Sequence, residues 1–379
     1  MEIEKKKQKL SLTLVITSRC NLSCIYCYQK HDDKNKMSLG VAISIIDKIF
    51  CNVPDNTDEI VIKFFGGEPL LEFELIKEIV GYIFSQNRKE TIKFYAPTNG
   101  TLLNYEMKEW FTARKDYFVL GLSIDGAKET QNYNRCNSFE KIDINFFLTN
   151  WPDQGVKVTL SNYSLPRLAE NIKFLHSCGF KEVNGGNLAE GNFDWSNENY
   201  IKVLVPQLKE LIEFYVDNDT IEVTQMFNMH LEYCEAKEKQ RKKWCGIGSG
   251  NNHYIDGKQY PCDSINPMVF TNNELSEILK TDFSDDNNFI DEYCFYNCYI
   301  YPICPNCVIT NYFVNKNFKE SDKKRCRIKK LIALFIADLQ AKRIAKNPKI
   351  YDENRLYHTI KAIKKIRSLY LPEFDKYLK

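Results

Sequence analysis

Two hydrophobic periods alternate along the first half of the chain. Residues 11–17, Ser-Leu-Thr-Leu-Val-Ile-Thr, alternate and carry β-branched side chains as a strand does, and residues 41–50 repeat apolar positions at helical spacing. The cycle then recurs. Strand-like stretches fall at 59–65, 91–95, 118–124, 156–160 and 182–184, with helix-like stretches between them at 73–85, 105–112 and 168–178. Alternating strands and helices predict a parallel sheet, hence an α/β fold with six βα units. Turn motifs stand at predicted strand C-termini: Gly66-Gly67-Glu68-Pro69 after the second, Thr98-Asn99-Gly100 after the third, and Ser123-Ile124-Asp125-Gly126 after the fourth. In βα folds that end carries the site.

Beyond residue 200 the pattern changes. Residues 201–239 read as helical with an Asp-Asn-Asp break at 217–219, and from Cys245 to Cys326 there are seven cysteines among Gly, Pro, Asn and Tyr with little periodicity. Helical spacing returns at 328–345, Pro348 ends it, and a basic stretch at 361–367 leads to the C-terminus. The expected organisation is an N-terminal extension (1–10), an α/β domain (11–200), a helical linker (201–239), a cysteine-rich domain (240–330) and a helical tail (331–379).

At 379 residues the chain is long enough for one large domain or two smaller ones, and 44% hydrophobic with 27% charged residues is a globular composition. Fifty-two basic against 50 acidic residues leave +2, so no polyanion-binding field and no nucleic-acid partner is expected. No apolar run reaches the roughly 18–20 residues of a membrane span, and the charged N-terminus lacks a signal peptide's apolar core. Fourteen cysteines would suit a disulfide scaffold only in a short secreted chain. A reducing cytoplasm with metal-bound thiolates accounts for them better, and exposed clusters would suit an anoxic cell.

Cys20, Cys24 and Cys27 stand in a C-x-x-x-C-x-x-C spacing directly after the first strand. Iron-sulfur cubanes normally take four thiolates, so three leave one iron open to another ligand. The alternative, structural zinc, normally closes with four protein ligands, and His31 is the only near candidate. With the glycine pair one strand later, the chain resembles the radical SAM superfamily. That resemblance implies an open, TIM-like partial (β/α)6 barrel, a 4Fe-4S cluster on Cys20, Cys24 and Cys27, and S-adenosyl-L-methionine (SAM) chelating the fourth iron. It assigns Gly66, Gly67 and Glu68 to the amino group of SAM and Tyr26 to the adenine. Ser123 and Arg135 match positions contacting the ribose and carboxylate, Asp125 in the Ser123 turn is counted with them as SAM-binding, and Leu188 lines the adenine pocket. The plainer alternatives are local packing for Tyr26, a solvated loop charge for Arg135 and simple core for Leu188.

Cys245, Gly257 and Cys262 reproduce the opening of the SPASM extension of radical SAM enzymes. The following block reads C-x3-C-x5-C-x2-C over Cys294, Cys298, Cys304 and Cys307, where the family has C-x2-C-x5-C-x3-C; a lone Cys326 completes the array. The resemblance implies two auxiliary 4Fe-4S clusters. Cys294, Cys298, Cys304 and Cys326 would hold the distal one; Cys245, Cys262 and Cys307 would give three ligands to a nearer one. Its fourth ligand is missing from the pattern, and Cys234 is a candidate. Cys51, Cys136 and Cys178, and most simply Cys234 too, read as buried thiols. A zinc-ribbon module is the alternative for the array. Asp263, directly after Cys262, matches a proposed base of the anaerobic sulfatase-maturing enzymes, or else makes an Asx turn beside a ligand.

By this resemblance an electron enters the first cluster from an external flavodoxin- or ferredoxin-type donor, SAM is cleaved to a 5'-deoxyadenosyl radical, and that radical abstracts hydrogen from carbon. The expected substrate is a ribosomally made precursor peptide or protein, crosslinked or oxidised. A leader peptide would bind the basic tail or a separate leader-binding protein, the alternative for the tail being a solvated amphipathic helix. The competing readings are a sulfatase-type formylglycine-forming dehydrogenase and a non-catalytic metal-binding or electron-transfer protein. Against the last, an electron carrier needs no SAM-binding glycine turn.

Overall fold

The computed structural model describes residues 8–31, 36–188, 194, 196–243, 245–248 and 252–378, with residues 185–188 and 252 given by their backbone. In chain order it forms β1 (Gln8–Thr17), α1 (Leu39–Phe50), β2 (Thr57–Gly66), α2 (Phe73–Ser85), β3 (Thr91–Thr98), α3 (Tyr105–Thr112), β4 (Phe118–Leu122), α4 (Lys128–Asn134) and α5 (Ile144–Asn150). Then follow β5 (Val156–Leu160), α6 (Leu168–Cys178), β6 (Val183–Leu188), α7 (Glu198–Asp217), β7 (Asn252–Ile255) and β8 (Lys258–Tyr260). Helices α8 (Asn272–Ile278), α9 (Glu292–Asn297), α10 (Val308–Asn315), α11 (Lys323–Lys346) and α12 (Glu353–Leu378) complete the chain. The fold is the expected mixed α/β fold with a parallel sheet.

Two compact units divide the residues: Met1–Ser123 with Arg135–Gln154 and Gly246–Ser284, and Ile124–Asn134 with Gly155–Cys245 and Asp285–Lys379. The first holds a six-stranded sheet in the order β4-β3-β2-β1-β7-β8, parallel except where β8 turns back along β7. One face is a dry core. Leu12, Leu14, Ile62, Phe64, Phe94 and Leu120 have no more than 1% exposure, and the rings of Phe64, Phe94 and Phe118 stack at 5.6–6.1 Å. Helices α2 and α3 cover that face through Phe84 against Phe94 and Phe111 against Phe118. Each buried Phe or Ile adds roughly 1.5–3 kcal/mol, so the alternation read from the sequence is also what drives the sheet together.

The second unit holds the parallel pair β5-β6 and the helices α6, α7, α11 and α12. Three expectations change. The predicted strands divide between two sheets, β4 at the edge of the first and β5 paired with β6 in the second; within the second unit Ile124 N donates to the Lys157 carbonyl at 3.0 Å. The cysteine-rich segment contributes β7, which pairs in parallel with β1, Thr13 opposite His253. The helical reading of 201–239 ends at Asp217. There the chain turns back so that Thr224 Oγ1 and Gln225 N donate to the Val183 carbonyl of β6 and Thr224 N donates to Tyr215 Oη, contacts that override local helical preference. The basic tail is the amphipathic helix α12, with Ala362, Ile363, Ile366, Tyr370 and Phe374 buried. Among the described residues no helix is long and apolar enough to cross a membrane.

Candidate functional site

The Cys loop leaves β1 at Thr17, whose hydroxyl accepts the Arg19 N–H at 3.2 Å. A tight turn then follows, Cys27 N donating to the Cys24 carbonyl at 3.0 Å. Cys20 and Cys24 are half-buried and Cys27 is exposed. Burial lifts the Cys20 thiol above its ordinary range, the Leu22 N–H pulls it down, and the charges of Glu68 and Cys27 push it up again. His31 closes the loop: Nδ1 donates to the Ser18 carbonyl at 3.0 Å and Nε2 lies 3.2 Å from Cys27 Sγ. Sequence reasoning met His31 only as a possible zinc ligand and missed this bracing contact.

Gly66 and Gly67 lie edge to edge with that loop. Gly67 N donates to the Thr17 carbonyl at 3.2 Å and Glu68 N to the Arg19 carbonyl at 2.8 Å, which carries the β1-β2 pairing past the end of the strands. A Cβ on Gly66 would stand 2.3 Å from Thr17 O, and one on Gly67 2.3 Å from Arg19 O. The glycines therefore permit a close approach to the chain's own Cys loop. Glu68 is sealed below them. Its carboxylate accepts from Asn99 N at 2.8 Å, Thr98 Oγ1 at 2.9 Å and Leu70 N at 3.1 Å, and burial lifts its pKa to about 7 against those bonds. The Thr98-Asn99-Gly100 turn thus orients Glu68, and Asn99 Nδ2 reaches on to Asn21 Oδ1 in the Cys loop at 2.9 Å.

Arg135, 7% exposed, places its guanidinium 5.4 Å from the centre of the Tyr26 ring. Two residues expected to contact SAM are so brought together beside the Cys loop. Ser123 N donates to the Thr98 carbonyl at 2.9 Å, at the same end of the sheet. Asp125 belongs to the second unit, fully buried, where its carboxylate accepts from Asn134 Nδ2 and Thr159 N, both at 3.0 Å. It ties the last residue of α4 to β5. The backbone of Leu188 closes β6 opposite Leu160, and its side chain lies outside the described residues.

Cys262 and Asp263 lie in the first unit, where Lys30 N donates to the Met268 carbonyl at 2.8 Å and draws the segment after the Cys loop against them. Cys262 Sγ donates to Asp263 Oδ1 at 3.2 Å and accepts the Ser264 N–H at 3.4 Å. Tyr28, which sequence reasoning passed over, faces the same pair. Burial lifts its phenol well above the ordinary range, the Asp263 charge adds to this, and a hydrogen bond with Ser264 opposes it. The residue is nevertheless 52% exposed.

In the second unit Cys294, Cys298, Cys304 and Cys326 come together. Asp291 caps α9 through the Cys294 N–H at 3.0 Å, and Cys298 N donates to the Cys294 carbonyl at 3.0 Å. Cys294 and Cys326 share a hydrogen bond that lifts the first thiol and lowers the second. Burial lifts Cys304, the nearby Lys329 charge opposes it, and the Cys298 and Cys294 charges add to it. Cys245 and Cys307 are exposed residues of this unit. Cys234, the candidate fourth ligand of the nearer set, lies instead beside Cys298 and is pushed up to about 12, first by burial and then by that neighbour. Cys51 and Cys136, expected buried, are exposed; Cys136 Sγ donates to the Ser23 carbonyl at 3.0 Å. Among the described residues no three His, Cys, Asp or Glu side chains are close enough to grip a single ion. Thiolates on separate irons of a cubane stand further apart than that, and a loop of three thiols beside a sealed carboxylate fits an iron-sulfur group with an open iron.

Among known proteins, the family described as a 4Fe-4S single cluster domain matches residues 11–141. The chain is 31% identical over 307 residues to the cysteine-type anaerobic sulfatase-maturating enzyme of Clostridium perfringens (strain 13 / Type A), covering 70% of this chain and 81% of that enzyme. It is 28% identical over 214 residues to the radical SAM cyclopropyl synthase TigE of Paramaledivibacter caminithermalis, covering 52% of this chain and 39% of the synthase. In structure it is similar to native anSMEcpe with bound AdoMet and Kp18Cys peptide, with a TM-score of 0.63 at 20% identity over 94% of this chain and 100% of that one. The chain belongs to the radical SAM, SPASM-type family of maturases that includes the anaerobic sulfatase-maturating enzymes, and it is an oxidoreductase-type enzyme of that family.

Proposed function

We propose that this enzyme modifies a ribosomally made peptide or protein by hydrogen abstraction at carbon, forming a crosslink or oxidising a side chain. One observation carries the reading: Tyr28, next to the last cysteine of the Cys loop, lies beside Asp263 and Cys262 of the second cysteine array. A substrate carbon held beside Tyr28 and Asp263 would lie near both the radical source and a carboxylate able to take up its proton.

Cys20, Cys24 and Cys27 would hold the 4Fe-4S cluster, and Gly66, Gly67, Glu68, Tyr26, Arg135 and Ser123 would bind SAM. When bound, cluster and SAM supply one-electron chemistry that removes hydrogen from unactivated carbon. Arg135 and Tyr26 position and enclose, Glu68, held by three donors, fixes the glycine turn beside the Cys loop, and Asp263 accepts the proton. Cys294, Cys298, Cys304 and Cys326 would hold a distal auxiliary cluster; Cys245, Cys262 and Cys307 would serve a nearer one. The division at 11–200, 201–239, 240–330 and 331–379, a cytoplasmic setting, a flavodoxin- or ferredoxin-type donor and a separate leader-binding protein belong to the same reading.

A sulfatase-type formylglycine-forming activity is the second reading, favoured by Asp263 beside Cys262 and by the 81% coverage of the cysteine-type enzyme. Anaerobic reconstitution tests both. About twelve irons per chain, three cubanes, with 5'-deoxyadenosine after addition of SAM and dithionite, support a radical SAM maturase. Mass spectrometry of a Cys-containing sulfatase peptide then separates formylglycine formation from other chemistry. Bound zinc or uncleaved SAM would leave a metal-stabilised binding protein.

A further inference from the structure

The face of the six-stranded sheet opposite the helices carries polar side chains that the Cys loop and the glycine turn do not use. Register sets Val119 of β4, Tyr95 of β3, Lys63 of β2, Thr13 of β1 and His253 of β7 in one row. Residues in register point to the same face, about 4.8 Å from strand to strand. Their neighbours along each strand, Leu12, Leu14, Ile62, Phe64, Phe94 and Ala96, are sealed in the core on the other side.

A lysine in the middle of a central strand is costly to bury unless something meets its charge. Lys63 is half-buried, and among the described residues its ammonium has no hydrogen-bond or ion-pair partner. The same holds for the Tyr95 hydroxyl, which lies over Gly121 so closely that a Cβ there would stand 2.1 Å from Oη. His253 Nδ1 is buried and likewise has no partner among the described residues. Burial lowers the pKa of His253, the Asp263 charge opposes this and the Lys63 charge adds to it, so the imidazole lies in the fields of both groups. One end of this row is therefore cationic, with donors that have no partner among the described residues, and the Asp263 charge acts on the other.

We propose that Lys63, Tyr95 and His253 form a carboxylate-recognition subsite that takes an acidic group of the peptide substrate and so selects which of its carbons reaches Asp263. The group is an Asp or Glu side chain or the chain-terminal carboxylate. The carboxylate of SAM is served elsewhere: Arg135 stands beside Tyr26 at the Cys loop, whereas Lys63 lies four residues, about 13 Å of strand, before Gly67. This inference rests on reading the chain as a peptide maturase.

The test titrates the reconstituted, SAM-loaded enzyme calorimetrically with short Cys-containing peptides in which one Asp is moved along the sequence. Each peptide is paired with an Asn control and made with free and amidated C-termini. Wild type should bind about tenfold more tightly, 1.4 kcal/mol, when an acid stands at one offset from the cysteine, and the Asp/Asn and acid/amide pairs show which carboxylate is read. Lys63→Met should shrink that preference to within about twofold, and Lys63→Arg, which keeps the charge, should retain it. Wild-type indifference to the acid, or a preference surviving in Lys63→Met, overturns the subsite. So does a raised KM for SAM in Lys63→Met with the peptide preference intact. The parallel assay for 5'-deoxyadenosine keeps the two failures apart: SAM cleavage without acid preference sinks the subsite alone, whereas no cleavage sinks the underlying reading and the subsite with it.

Discussion

Gly67 passes so close to Arg19 that a β-carbon built on it would stand 2.3 Å from the Arg19 carbonyl oxygen and 2.9 Å from Cys20 Cβ. Neither atom is the movable end of a side chain, so Gly67→Ala must push the Cys loop off the end of the sheet. The expected result is a folded protein that takes up about four fewer irons on reconstitution, one cubane, and does not cleave SAM. Gly81, exposed on α2 with nothing within 4 Å of its would-be Cβ, is the control. Gly81→Ala should stabilise the protein by about 0.5–1 kcal/mol and retain full iron. Full iron in Gly67→Ala would show that the loop tolerates the displacement.

Glu68 predicts a pH dependence whose sign is fixed by its surroundings. With a folded pKa of about 7 against an ordinary 4.5, the folded chain holds this proton more tightly than the unfolded one. The stabilisation is complete below pH 4.5 and is lost as pH rises through about 7. Denaturant unfolding of the unloaded protein should weaken across that window by on the order of 3 kcal/mol, and Glu68→Gln should remove that part of the slope. An unchanged slope in Glu68→Gln would mean that other groups set it.

Much of this was readable in the sequence because the strands announce themselves by what they bury. Phe64, Phe94 and Phe118 sit on the core face at period two, and the turns after those strands hold Glu68, Asn99 and Ser123 at one end of the sheet. Other features had no local signal. β7 is four residues long and pairs with a strand more than two hundred residues earlier. The apolar spacing after Asp217 looks helical, but Thr224 and Gln225 are claimed by Val183. Tyr28 could not be told from the chain's 22 tyrosines, since its meaning comes from Asp263, which only the fold brings near. Lys63 is one polar residue in an alternating strand until register places it between Tyr95 and Thr13.

Cys24→Ala separates the two cysteine arrays. Cys24 turns the first loop through its carbonyl bond to Cys27 N, whereas Cys294, Cys298, Cys304 and Cys326 belong to the other unit. The variant should form no 5'-deoxyadenosine and lose about four irons per chain, with the rest of the iron retained. Unchanged SAM cleavage would refute the assignment of the first loop.

Asp291 ties the distal array into one piece. Its Oδ1 accepts the Cys294 N–H at 3.0 Å as the N-cap of α9, and its Oδ2 accepts the Ser321 N–H at 2.9 Å and lies 3.2 Å from Lys323 Nζ, the turn of chain that leads to Cys326. Burial alone would raise its pKa, but the Ser321 and Cys294 N–H groups and the Lys323 charge outweigh it and hold the pKa at about 2. A lowered folded pKa means stability that is present above the ordinary 3.8 and lost as pH falls toward about 2. Asp291→Ala should cost about 1–2 kcal/mol, the usual loss for a capping carboxylate. Because the same side chain positions Cys294 and the approach to Cys326, it should also speed the release of iron to a chelator without stopping SAM cleavage. Asp291→Asn, which sets an amide N–H against the Ser321 N–H, should lose the acid dependence along with that bond. Iron retention equal to wild type in both variants would show that Asp291 caps a helix and nothing more.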